Sequence, residues 1–328
     1  KYSLYTEGET PYADLFNGNA EDADEIILAR EHTHTTGSIT TGNRLNQAFF
    51  LKEMSGGDAL RALTPTGSLV DAYPMADGRL IHESGSTYDP KDPYRDRDPR
   101  LAQSIIYPTS TIRESKTMTW VLYDPESEKS IPGQRYDAKE PSSSGDVWKK
   151  YCDWSDHAMI QILDGGVDVI YFRYADVLLM HAEALLETKG IAASSEIFAI
   201  INQLRDRCGG GRVTEANYTS EDALRTLVRN ERRVELANEG LRFFDIRRWK
   251  VAEKTVAVSG EGMNGEVYGA FMRLDGVGAT DRTVMVDGVP RRYVETYNFD
   301  PSKHYLFPIP SKDIDLTNGA LSQNSGWD

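Results

Sequence analysis

The sequence predicts a predominantly α-helical protein whose first half is an irregular, mixed α/β segment. Apolar runs with helical spacing and glycine ends occupy residues 171–250. Short aliphatic and aromatic runs separated by Pro, Gly and Asp occupy residues 1–168. Alanines at close-packing positions in the second half are typical of tetratricopeptide-like helix pairs, although no clean 34-residue period is present. We therefore expect two regions, residues 1–168 and residues 169–328.

The first half is predicted to contain short strands joined by loops. Residues 26–28 form a brief apolar run between polar flanks, which predicts a buried strand. A short helix is predicted at residues 45–54. Residues 88–101 are rich in Asp and Pro and predict a loop, because proline removes a backbone donor and fixes φ. Two further strands are predicted from the aliphatic and aromatic runs at residues 104–108 and 118–125.

The second half is predicted to contain four helices arranged as two hairpins. The first spans residues 171–190, and the second spans about residues 192–207 and ends in three glycines. Ser220 is a suitable N-cap for a third helix over residues 221–238. A fourth helix is predicted near residues 241–250.

Residues 230–250 combine an unusual density of charge with apolar side chains. Glu231, Glu235 and Glu239 recur at intervals of four, which would place three carboxylates on one stripe of a helix ended by Gly240. Arginines in and around this segment can bind carboxylates bidentately. We expect these glutamates to pair with nearby arginines and hold the last helix pair against its neighbours. The aromatic residues Phe243, Phe244 and Trp249 are expected to fill the seam, that is, the interface between the last helix pair and its neighbours.

Composition excludes several classes of function. The formal net charge of −14 argues against a nucleic-acid partner, which requires a basic surface. No apolar run reaches the roughly 18 to 20 residues of a transmembrane helix. The two cysteines, Cys152 and Cys208, match no metal-binding spacing, and we predict no cofactor.

Three polar clusters could carry chemistry, and each also has a simpler interpretation. Asp153, Asp156 and His157 could hold a general acid and base, but neighbouring Asp residues in a polar loop are more often solvated. The alternating histidines of residues 31–34 could bind a metal, although a polar loop is the better account. The four Asp residues within residues 89–98 lack the glycine and glutamate of a calcium loop, so a turn held by neighbouring arginines is preferred.

Seven segments together resemble the C-terminal part of the SusD/RagB family of outer-membrane nutrient-binding lipoproteins. They are LVDAYPMADG (69–78), DRDPRL (96–101), RYADVLLMHAEAL (173–185), INQLRDRCG (201–209), ERRVELANEGLRFFDIRRW (231–249), YLFPIPSKDI (305–314) and LSQNSGW (321–327). The resemblance implies a fold of tetratricopeptide-like helix pairs with an irregular insertion that carries much of the ligand site. Residues 1–168 would be this insertion, and residues 169–328 the C-terminal helical region. The early helix pairs of the family and its lipidated cysteine are not matched.

The resemblance also implies a function and a location. Members of this family lie on the cell surface of Bacteroidota, attached to the outer membrane by an N-terminal lipid anchor, and they bind without catalysis. They cap a SusC-like TonB-dependent transporter and deliver glycans or, in some branches, peptides. We therefore expect a surface-exposed outer-membrane protein that binds an oligosaccharide or polysaccharide. A peptide ligand, a carboxylate-dependent glycoside hydrolase and a scaffold that only contacts the transporter are the alternatives.

Aromatic side chains are the expected ligand-binding residues, because sugar C–H faces stack on flat rings while hydroxyls bind polar side chains at the rim. Each of these residues could instead belong to the core. Trp148 follows a polar loop and is expected to be exposed. The predicted set, with two polar residues at the rim, is Trp120, Tyr107, Trp148, Tyr123, Trp154, Arg113 and Asp124.

Overall fold

The structure is a computed structural model that describes most of the chain. It covers residues 1–34, 42–49, 60, 63–108, 110–114, 119–122, 134–137, 144–154, 162–256, 260–271 and 283–327, with the backbone alone for residues 111–114, 119–122, 134–137 and 271. The helices are α1 (Pro11–Asp14), α2 (Leu45–Phe49), α3 (Gly67–Ala72), α4 (Pro99–Ser104), α5 (Tyr174–Lys189), α6 (Ser194–Cys208), α7 (Glu221–Glu235), α8 (Arg242–Arg248) and α9 (Ser311–Leu316). Short 3₁₀ turns occur at Gly190–Ala193 and Glu215–Asn217.

Strands lie on both sides of the helical region, so the chain is mixed α and β rather than predominantly helical. They are β1 (Ile26–Arg30), β2 (Ile105–Ile106), β3 (Thr111–Glu114), β4 (Thr119–Leu122), β5 (Gln134–Asp137), β6 (Val147–Trp148), β7 (Val169–Arg173), β8 (Gly265–Phe271), β9 (Thr283–Val286) and β10 (Val289–Tyr297). Two-stranded sheets join β1 to β7 and β2 to β6, and three-stranded sheets have the orders β8-β10-β9 and β3-β4-β5. The sheet of β8, β9 and β10 was not predicted, because its glycine-rich sequence hides the alternation of a strand.

The helices α5, α6 and α7 are confirmed, with shifted ends. Helix α5 begins at Tyr174 rather than residue 171, because Val169–Arg173 instead pairs antiparallel with β1. The Ser220 hydroxyl accepts a hydrogen bond from the Ala223 amide at 3.2 Å, as expected of an N-cap. Helix α7 ends at Glu235, and a turn with positive φ at Asn238 and Gly240 follows it, so Glu239 lies beyond the helix.

Two apolar clusters form most of the core. One lies between α5, α6 and α7, where Leu179, Ile201 and Leu227 are fully buried. The other joins α1, α4, β2 and β6, and it also includes Val234 of α7 and Ala237. Burial of each such side chain contributes about 1.5 to 3 kcal/mol. The second cluster contains residues from both of the regions predicted from the sequence, 1–168 and 169–328.

A buried network of ion pairs connects the two clusters. Among the described residues it joins the cations Arg100, Lys150, Arg173, Arg205 and Arg207 to the carboxylates of Glu25, Asp98, Glu231, Glu235 and Glu239. The expected pairing of Glu231, Glu235 and Glu239 is confirmed. The described cations that pair with these glutamates, however, lie in α4, just after β6, in β7 and in α6, and none of them lies within residues 230–250.

The aromatic residues of α8 do not fill the seam as expected. Phe243 and Phe244 are 37% and 63% exposed, whereas Asp245 and Ile246 are buried. The helix starts at Arg242, and its 3.6-residue turn directs residues 245 and 246 inward and the two phenylalanines outward. Trp249 is partly buried against Ile246.

Two other expectations for the first half have different outcomes. Strand β1 exists, but it is not buried, since Leu28 is 58% exposed at the edge of a two-stranded sheet. The Asp-rich segment is a loop held by arginines, as predicted. The buried Arg97 guanidinium donates to the carbonyls of Tyr73 at 2.6 Å and Val70 at 2.7 Å. The loop ends where the Asp98 carboxylate caps α4.

Candidate ligand-binding site

Four of the predicted ligand residues, Tyr107, Arg113, Trp120 and Trp148, lie on or beside two small sheets in the first half of the chain. Strands β2 and β6 pair antiparallel, with Ile105 opposite Trp148 and Ile106 opposite Val147. The sheet of β3, β4 and β5 follows directly along the chain. The chain therefore passes from a buried strand pair into a second sheet within about ten residues.

Strand register places two of the predicted residues together. Arg113 on β3 lies directly opposite Trp120 on β4, and Arg135 on β5 is the parallel partner of Trp120. The backbone register therefore makes Arg113 and Arg135 the cross-strand neighbours of Trp120. Tyr123 and Asp124 lie outside the described residues.

Tyr107 is half-buried at the end of β2, and its ring stacks on Tyr94. The ring centroids are 4.4 Å apart and the planes differ by 5°. Burial raises the pKa of the Tyr107 hydroxyl, so it remains a neutral donor. Sequence reasoning missed Tyr94, because it lies in the Asp- and Pro-rich loop and meets Tyr107 only through the tertiary fold.

The expectation that Trp148 is exposed is wrong. Its side chain is 7% exposed and belongs to the core cluster of α1, α4, β2 and β6. Pairing of β6 with β2 turns it inward, an effect that the preceding polar loop does not reveal. Trp154 is partly buried against the same cluster. Tyr151 is buried, as expected of an aromatic residue that belongs to the core.

Below the tyrosine stack lies a buried carboxyl group. The Tyr94 hydroxyl donates to Asp146 Oδ1 at 3.1 Å, and Asp146 is fully buried. Burial raises the pKa of Asp146 to about 7, while the Tyr94 hydrogen bond and Arg291 oppose this rise and Asp71 adds to it. Burial also raises the pKa of Tyr94 well above its usual value. The tyrosine stack is thus hydrogen-bonded to a buried carboxyl group whose pKa is raised to about 7.

The polar clusters considered for catalysis or metal binding have structural contacts. His34 Nε2 lies 3.1 Å from Asp153 Oδ2, and His34 Nδ1 lies 2.8 Å from the Asp164 carbonyl. Asp153 also accepts a hydrogen bond from the Gly166 amide at 2.8 Å. Asp156 and His157 lie outside the described residues. Within the part of the chain that the structure describes, no group of three or more His, Cys, Asp or Glu side chains is placed to hold a metal ion.

Comparison with known proteins identifies the family. The family model described as SusD family matches residues 24–327. The chain belongs to the SusD family. Among the described residues of this SusD family member, no helix combines the length and the hydropathy that a membrane span requires.

Two curated relatives of this family member come from Formosa agariphila. SusD-like protein P2 is 30% identical over 169 residues, which are 50% of this chain and 27% of the relative. SusD-like protein P38 is 34% identical over 99 residues, which are 28% of this chain and 18% of the relative. The matched part is therefore well under two thirds of either relative's length.

Solved structures from Bacteroides fragilis have the same fold. A SusD-like protein has a TM-score of 0.67 at 24% identity, covering 99% of this chain and 58% of that protein. A SusD-like carbohydrate-binding protein has a TM-score of 0.68 at 24% identity, covering 96% of this chain and 57% of that protein. This chain thus corresponds to somewhat more than half of each structure.

Proposed function

We propose that this SusD family member is a non-catalytic glycan-binding protein of the cell surface. The observation that carries the proposal is the family match across residues 24–327, in a family that includes a structure described as carbohydrate-binding. Residues 1–168 would contain the ligand-binding region, and residues 169–328 would form a scaffold of tetratricopeptide-like helix pairs. The packing of α5 against both α6 and α7 supports the pairing of these helices.

In this proposal the binding residues would form an aromatic surface with polar neighbours. Trp120, with Arg113 opposite it in the strand register, would stack on a sugar ring and bind its hydroxyls. Tyr107 would extend this surface from its stack on Tyr94. Tyr123, Trp154 and Asp124 complete the proposed set. The burial of Trp148 makes it a support for β2 rather than a residue that contacts the ligand.

The proposed context is uptake at the outer membrane. The protein would be tethered to the outer membrane through a lipid anchor and would present its glycan to a SusC-like TonB-dependent transporter. Neither a cofactor nor a nucleic-acid partner is part of the proposal. A net charge of −14 is consistent with neutral or cationic ligands in the aromatic site and disfavours nucleic acid.

A panel of purified oligosaccharides and polysaccharides, titrated against the protein by calorimetry, tests this function. We expect at least one glycan to bind, and we expect no release of reducing ends when that glycan is incubated with the protein. A panel of peptides serves as the comparison. Binding of peptides alone, or turnover of a glycan, would contradict the proposal.

A further inference from the structure

A cleft separate from the aromatic residues lies where α3, α7 and the start of α8 meet the turn after β9. Its volume is about 380 Å³, enough for a small polar group and its surrounding contacts. Ser68, Arg229, Arg233, Arg242 and Tyr268 are among the residues that line it. The described lining includes none of the proposed aromatic ligand residues.

Three guanidinium groups converge in this cleft. Arg229 and Arg233 are four residues apart on α7, so they lie on the same helical face. Arg242 is the first residue of α8 and approaches them from the other side of the turn. The Cζ atoms of Arg229 and Arg242 lie 4.8 Å and 5.9 Å from the centroid of the same Trp249 ring. The three arginines thus line one cleft, and two of them share the Trp249 ring as a neighbour.

The hydrogen bonds of Arg233 and Arg242 go to neutral acceptors. Arg233 donates to the Gly260 carbonyl and, at 3.0 Å, to the Ser68 hydroxyl. Arg242 donates to the Glu261 carbonyl at 2.6 Å. Within the described ranges, no carboxylate oxygen lies within 4.0 Å of a nitrogen of Arg229, Arg233 or Arg242. Burial and, second, repulsion from Arg233 lower the pKa of Arg242 to about 9, although the carboxylates of Glu261 and Asp245 oppose this shift.

The carboxylates around the cleft are engaged with other groups. Glu261 binds Lys254 Nζ at 2.7 Å. Asp71 accepts from the Tyr268 hydroxyl at 2.8 Å and lies 3.5 Å from Arg291. Asp287 lies 3.9 Å from His82 Nε2, and Glu83 accepts from the Leu80 amide at 2.6 Å. This contrasts with the buried network, in which each of the five cations has a carboxylate partner.

We propose that the cleft binds an oxyanion, a carboxylate, sulfate or phosphate group, between Arg229, Arg233 and Arg242. The planar guanidinium forks have free N–H groups and can bind such a group bidentately, which would offset the repulsion among three neighbouring cations. The ligand would therefore be a molecule that bears an acidic group. The proposal uses different residues from the aromatic site and does not depend on glycan binding there.

Calorimetric titration with sulfate, phosphate and glucuronate tests the proposal, in sodium chloride buffers of matched ionic strength and with glucose as the neutral probe. We expect one oxyanion per protein to bind, and its identity distinguishes a carboxylate from a tetrahedral group. Arg229→Gln should weaken binding at least about tenfold, since a charge-assisted bidentate contact is lost. Arg229 donates no hydrogen bond to the described residues, so this variant should fold normally. Arg229→Lys should retain part of the affinity.

Arg212→Gln is the matched control, because it removes an exposed arginine that pairs with Asp206 outside the cleft. It should bind the same oxyanion as tightly as the unaltered protein. Absence of binding for all three anions would overturn the proposal, as would an oxyanion affinity that Arg229→Gln leaves unchanged. Equal weakening by Arg229→Gln and Arg212→Gln would also overturn it, since that result indicates a general effect of charge.

Discussion

Replacing Glu235 with glutamine is expected to lower the free energy of unfolding by about 3 to 5 kcal/mol. The Glu235 carboxylate accepts from Arg173 at 2.8 Å and from Arg100 at 2.9 Å, and it also pairs with Arg207. All four side chains are at most 1% exposed. The whole network contains five cations and five carboxylates among the described residues, so its charges balance. The substitution therefore leaves an uncompensated positive charge away from water. The pKa of Glu235 lies well below its usual value, because burial is outweighed by the three arginines.

Urea denaturation of the protein and of two variants measures this effect. Glu196→Gln is the control, since Glu196 forms an exposed pair with Lys189 at 3.2 Å. Exposed pairs contribute about 0 to 1 kcal/mol, so this variant should differ little from the unaltered protein. A Glu235→Gln variant no less stable than Glu196→Gln would show that the buried network does not hold the two core clusters together.

The stability of the protein is expected to fall as the pH rises through the range in which Asp146 titrates. The folded-state pKa of about 7 is above the ordinary value of 3.8, so the folded protein holds this proton more tightly than the unfolded chain does. The contribution is fully present below pH 3.8 and is lost as the pH rises to about 7. The difference between the folded and ordinary pKa values corresponds to about 4 kcal/mol of unfolding free energy. About 3 kcal/mol of this is lost between pH 5 and pH 8.

Unfolding free energies at pH 5 and pH 8 test this, with Asp146→Asn as the neutral variant. The amide resembles the protonated carboxyl group and can still accept from the Tyr94 hydroxyl, so Asp146→Asn should lose about 3 kcal/mol less over this range. Tyr94→Phe removes the hydrogen bond that lowers the Asp146 pKa and should move the loss to higher pH. Identical pH profiles for Asp146→Asn and the unaltered protein would refute the assignment.

The helical region could be predicted because its signals are local. The Ser220 cap, the glycine after α6 and the apolar spacing of α5 to α7 all lie within single elements. The boundary of α5 was misplaced because Val169–Arg173 is equally apolar and becomes a strand only through its pairing with β1. The end of α7 was misplaced because a positive φ at Asn238 gives no clear sequence signal.

Contacts between distant residues could not be predicted. Arg100 and Glu235 are 135 residues apart, so the regular spacing of the glutamates shows a stripe but not its partners. The same limit applies to the site. Tyr107 was chosen as an aromatic residue after a strand, but its stacking partner Tyr94 and the Asp146 carboxyl group beneath them come from two separate loops. The sequence around Trp148 gives no indication that this side chain is buried, because its burial is determined by the pairing of Trp148 with Ile105 in the sheet.

Glycan binding by the aromatic residues of the first half is the central claim, and Trp120→Ala tests it most directly. The variant, the unaltered protein and Tyr171→Ala should be titrated by calorimetry with a glycan that the unaltered protein binds. Tyr171 is the control, because it is an aromatic residue 57% exposed on β7. We expect Trp120→Ala to bind about tenfold more weakly, since a stacked ring contributes about 0.5 to 1.5 kcal/mol beyond its buried area, and Tyr171→Ala to bind normally. Unchanged affinity in Trp120→Ala would contradict the claim.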